Sequence, residues 1–148
     1  MGYTLNREYQ KSLLDVYSVT SQTIGSGQVI TYPNVNINTG CSIEFAPGTS
    51  SVQIVKPGVY QVEFEGVATA EEAGVVTIQI QRDGVNIPAA TASVTYANTT
   101  NLATLNVGTL IKVLPSCCAV QNHPVITIVN TGVGTVFNSA KLIITKLC

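Results

Sequence analysis

The chain has 148 residues, enough for one domain with a sizeable core and too few for two comfortable ones. Apolar residues make up 45% and charged residues 10%, with a formal net charge of −1, where ordinary soluble domains carry roughly 25% charged residues. That balance excludes a nucleic-acid partner, which requires clustered Lys and Arg, and no apolar run approaches the ~20 residues of a membrane helix. A surface so poor in charge is either covered in Thr, Asn, Ser and Gln or hidden against copies of itself; the deficit favours an oligomer.

Residues 1 to 15 differ from the rest. Arg7, Glu8, Lys11 and Asp15 concentrate charge there, Leu5, Tyr9 and Leu13 recur at four-residue spacing, and Asn6 can cap a short helix. The segment reads as an arm that docks on a neighbouring protein through Tyr3, Leu5, Tyr9 and Leu13, against the commoner alternative of a frayed end. It lacks the apolar core of a secretory signal, so synthesis in a cytoplasm is expected.

From Val16 onward every segment reads as strand or turn. VYSVT and QVITY come first, separated by the flexible IGSG piece, and VNIN and SIEF follow. In VQIVKPGVYQVEFEGVA, residues 52 to 68, two alternating runs meet at a Lys-Pro-Gly corner. Tyr60, Val62 and Phe64 fall on one side with Gly66 and Ala68, and Gln61, Glu63 and Glu65 on the other, because strand side chains alternate faces. One face is then buried and the other wet, as in an antiparallel sheet.

VVTIQIQR alternates the same way, with Val76, Ile78 and Ile80 inward, and Asp83-Gly84 turns it tightly into VNIP. Pro88 ends that run or sets it at a sheet edge. ATASVTYA, LATLNVGTLIKVL (Leu105, Val107, Ile111 and Val113 on one face), PVITIVN and TVFNSAKLIITK complete the chain, the last two joined by a Thr131–Gly134 turn. Eight to ten antiparallel strands with no helix after residue 15 predict an all-β sandwich or jelly roll from residue 16 to 148, preceded by the arm over 1 to 15.

Groups fit for chemistry are few. Glu63 and Glu65 share the polar side of one strand, and paired carboxylates do glycosidase work only when a cleft raises one pKa; on a wet face they are surface charges. His123 is the single histidine and no G-x-S-x-G elbow exists. Gly132-Val133-Gly134 lacks the lysine and helix of a phosphate loop, so a hairpin turn explains it better. Asn98-Thr99-Thr100 matches a glycosylation acceptor by pattern only. Cys41, Cys117, Cys118 and Cys148 read as small buried hydrophobes plus a loose C-terminal thiol, and Cys117-Cys118 with His123 falls short of a zinc set. No enzyme, metal or cofactor is expected.

GVYQVEFEGVA behind an alternating strand, then VVTIQIQRDGVNIPAA, PVITIVNTG and the closing AKLIITKL, resembles tumour-necrosis-factor-like and complement globular-head-like domains of the bacterial and phage type, over residues 16 to 147. The resemblance implies a ten-stranded jelly roll in a compact homotrimer, with Tyr60, Val62, Phe64, Ile78 and Ile80 serving core or trimer axis. Some relatives hold calcium near that axis; no such ligands match here. Without a collagen-like stalk, the pattern fits a trimeric decoration or head-fibre protein of a phage virion, made in the host cytoplasm and held to capsid or tail by its arm. The alternatives are a spore-surface coat protein, or a receptor- or glycan-binding module at a tail tip using Tyr96, Asn98, Asn101, Asn122 and His123.

Overall fold

The computed structural model describes residues 11–116 and 123–148. In chain order the strands are β1 (Leu13–Ser18), β2 (Gln22–Ile24), β3 (Asn34–Thr39), β4 (Ile43–Phe45), β5 (Val52–Ile54), β6 (Gly58–Ala70), β7 (Gly74–Arg82), β8 (Val85–Tyr96), β9 (Ala103–Val113), β10 (Val125–Asn130) and β11 (Thr135–Lys146). One sheet runs β3-β1-β11-β6-β9, with β2 pairing the start of β11; the other runs β4-β5-β10-β7-β8. All pairings are antiparallel, and no helix occurs among the described residues. Only β4–β5 and β7–β8 are hairpins within the five-stranded sheet; from β3 onward every other connection passes between sheets, the winding of a jelly roll.

The alternation read in the sequence sets the core. Tyr60, Val62, Phe64, Ile78 and Ile80 are buried within the single subunit, as are Val76, Leu105, Val107, Ile111 and Val113. The five residues expected at core or axis therefore belong to the core. Phe64 and Phe137 meet edge to face with centroids 6.0 Å apart, and Gly66 makes room for them: a Cβ there would lie 2.9 Å from each ring.

Four expectations change. Eleven strands form among the described residues instead of eight to ten, and VNIP and ATASVTYA are one strand, β8. Pro88 is tolerated because β8 is an edge, and a break in the β7–β8 register between Gln79 and Gln81 absorbs it, with Ala89 at φ 61°. Gln79 donates to the carbonyls of Ile80 and Ile87 (2.8 and 2.9 Å), satisfying the bulge. QVITY forms no strand; Val29 makes only a bridge to Val129. The Thr131–Gly134 turn is a crossover and not a hairpin, since β10 and β11 lie in different sheets.

The sandwich also begins earlier than Val16. Leu13 opens β1 in register with Thr145 and Thr39, so its main chain belongs to the sheet. Tyr3, Leu5 and Tyr9 lie outside the described residues.

Candidate functional site

Strand register defines the outer face of the six-stranded sheet residue by residue. Across β1, β11, β6 and β9 one row reads Tyr17, Lys141, Glu65, Asn106; the next reads Asp15, Ile143, Glu63, Gly108; the third reads Leu13, Thr145, Gln61, Leu110. Each is the set opposite the core residues, as period two requires. Two hollows mark this face. One of about 310 Å³ lies over Gly108, which contributes no side chain, between Glu63, Glu65, Asn106, Lys141 and Ile143. The other, about 500 Å³, is bounded by Tyr17, Val19, Asn36, Glu65, Val67 and Lys141.

The face holds three carboxylates and one ammonium near its centre. Lys141 Nζ stands 3.3 Å from Asp15 Oδ2, and Asn36 Nδ2 donates to the same oxygen at 2.9 Å. Asp15 is buried, and its Oδ1 has no hydrogen-bond partner. Glu63 accepts a bond from Gln61 Nε2 at 2.7 Å. Lys141–Asp15 is the only ion pair among the described residues, so Glu63 and Glu65 face outward unneutralised.

At the margin of this sheet, β9 lies beside the edge strand β8, and a groove of about 370 Å³ runs between Arg82, Val85, Ile87, Pro88, Leu110 and Lys112. The Arg82 guanidinium donates to the Lys112 carbonyl at 2.8 Å, tying the end of β7 to β9. The Asp83-Gly84 turn holds that corner: Asp83 Oδ1 accepts the Val125 N–H at 2.9 Å, and the Asp83 N–H donates to the Val125 carbonyl at 2.8 Å.

The loop residues expected to bind a receptor or glycan differ in exposure. Tyr96 is buried at the end of β8, its hydroxyl donating to the Ala68 carbonyl at 2.6 Å, and burial pushes its phenol pKa up. The alternating pattern of β8 carries it into the core, so it offers no stacking surface. Asn98 Oδ1 accepts the Thr100 N–H and hydroxyl (3.0 and 2.9 Å) and the Asn101 N–H (3.2 Å), closing its own turn. Asn101 is exposed and His123 half-buried; Asn122 lies outside the described residues.

Cys41 is exposed, unlike the buried hydrophobe expected, and accepts a bond from Lys56 Nζ at 3.0 Å that raises the lysine pKa. Among the described residues no group of three or more His, Cys, Asp or Glu converges as metal ligands. Periodicity flags Glu63 and Glu65 but gives no hint of Arg82 and Lys112 as a pair, because they come together only through the packing of β7 beside β9.

The arrangement of these sheets has solved counterparts. Murine APRIL at pH 5.0 superposes with a TM-score of 0.65 at 12% identity, covering 93% of this chain and 100% of that one. The Eiger TNF of S. frugiperda gives 0.68 at 8% identity, covering 93% of each chain. The fold is the tumour-necrosis-factor-like jelly roll. The same jelly roll is shared with the PRD1 vertex protein P5, at a TM-score of 0.55 and 10% identity over 93% of this chain and 97% of that one. No protein-family model and no curated protein sequence matches, so the likeness is one of fold.

Proposed function

We propose that this chain is a non-enzymatic structural protein, a trimeric surface component of a phage virion anchored through its N-terminal segment. The observation that carries the reading is the end-to-end correspondence with the PRD1 vertex protein, which spans nearly all of both chains. The chain's own physics agrees. A subunit with 10% charged residues and exposed Val19, Leu102, Leu110 and Leu114 gains by covering surface against copies of itself. Synthesis in the host cytoplasm and attachment by Tyr3, Leu5 and Tyr9 complete the proposal.

The experiment is deletion of residues 1–10, which stops short of β1. The truncated protein is expected to remain trimeric and to disappear from purified particles by mass spectrometry. Particles that retain the truncated chain would refute anchoring by the arm.

A further inference from the structure

Asp15 on β1 is 6% exposed, yet only one of its two carboxylate oxygens is satisfied. Oδ2 accepts a bond from Asn36 Nδ2 at 2.9 Å and lies 3.3 Å from Lys141 Nζ, while Oδ1 is buried with no hydrogen-bond partner. An ordinary surface ion pair lets water reach both oxygens; burying one unpaired costs free energy. Lys141 is diagonal to Asp15 across the β1–β11 ladder, whose register sets Tyr17 opposite Lys141 and Asp15 opposite Ile143. On its other side Lys141 has Glu65 of β6 directly opposite, and both residues line the two hollows of this face. An amine, a carboxyl group with one unpaired oxygen, an amide donor and a second carboxylate thus gather where the first and last described strands pair.

We infer that Lys141 and Asp15 condense into an isopeptide bond, a single-turnover reaction of the chain on itself. Nζ, as the free amine, attacks Asp15 Cγ; the N–C bond forms and the Cγ–Oδ1 bond breaks. Of the three protons on the ammonium, one stays on the amide nitrogen and two leave with Oδ1 as water, so the step needs no oxidant, reductant or co-reactant. Glu65 takes the proton from Nζ and passes it to the departing oxygen. Asn36 Nδ2 stabilises the charge that gathers on Oδ2 and then bonds the new amide carbonyl. The condensation expels the very oxygen that the fold leaves buried and unpaired. A bond between β1 and β11 also closes most of the chain into one loop, which lowers the entropy of the unfolded state. The inference stands apart from the virion role proposed above, since it concerns one subunit alone.

The test is the intact mass of the purified full chain, measured after denaturation, with far-UV circular dichroism to confirm that each variant folds. Wild type is expected to be lighter than its sequence by one water, with tryptic cleavage after Lys141 lost and one pair of peptides joined through Asp15 and Lys141. Lys141→Arg and Asp15→Ala are each expected to keep full mass. Glu65→Gln is expected to slow the loss by about a hundredfold, so that the freshly purified chain is mostly at full mass and converts on standing. Folded wild type that holds its full mass through prolonged incubation would overturn the bond, and so would a lost water that persists in Lys141→Arg. Glu65→Gln as fully converted as wild type would overturn the proton transfer assigned to Glu65.

Discussion

Phe64 lies where two aromatic rings and a glycine share one spot, so its loss cannot be repaired by a small shift. Phe64→Ala is expected to cost about 3–5 kcal/mol, read from denaturant midpoints, because the Phe137 ring and Gly66 leave a void behind it. Tyr32 makes the opposite case. Its hydroxyl is buried without a hydrogen-bond partner, and burial pushes its pKa up. Tyr32→Phe removes the unpaired group and is expected to be neutral or stabilising by about 1 kcal/mol. Tyr60 and Tyr96 are also raised, first by burial. Below about pH 10 folded and unfolded chains both keep these phenol protons; above it the unfolded chain releases them first, so stability falls as pH rises. Urea midpoints should be level from about pH 7 to 9 and drop beyond 10. A midpoint unchanged at about pH 11 would contradict the burial of these rings.

Strand by strand, the alternating pattern made most of this fold legible before any coordinates. The inward residues of β6, β7 and β9 follow from period two alone. The Asp83-Gly84 turn was equally readable, and both residues take positive φ, 53° and 78°. What the pattern cannot carry is which strands share a sheet: Thr131–Gly134 looks like a hairpin, yet long-range pairing sends its two strands to opposite layers. Nor does a proline reveal whether it ends a strand or sits in a bulged edge. The candidate site was half legible for the same reason, since Glu63 and Glu65 lie on one strand while Arg82 and Lys112 meet across two. Tyr96, offered as a loop position, closes β8, and the alternation of that strand turns its ring into the core. Two substitutions at the β7–β8 corner should differ in sign. Gly84→Val is expected to cost roughly 1–2 kcal/mol, and Ala89→Gly to stabilise by up to about 1 kcal/mol by relieving a non-glycine residue at φ 61°. Thermal melts of both variants against wild type check the pair.

At the scale of the whole molecule, the sandwich buries an uninterrupted apolar core and still leaves large hydrophobic side chains at its surface. Glu63 and Glu65 stand on the outer face of its six-stranded sheet outside the one ion pair found among the described residues. The proposed association of identical copies would cover such side chains and would fit the low charge content. The first and last described strands pair along β1 and β11, so Leu13 lies in this same sheet. A virion component of this shape would present its loops outward and keep its joining surfaces between copies. Native mass spectrometry of the purified full chain at micromolar concentration tests that account most directly. It predicts a species of three chains, and a single chain with no larger species would contradict it.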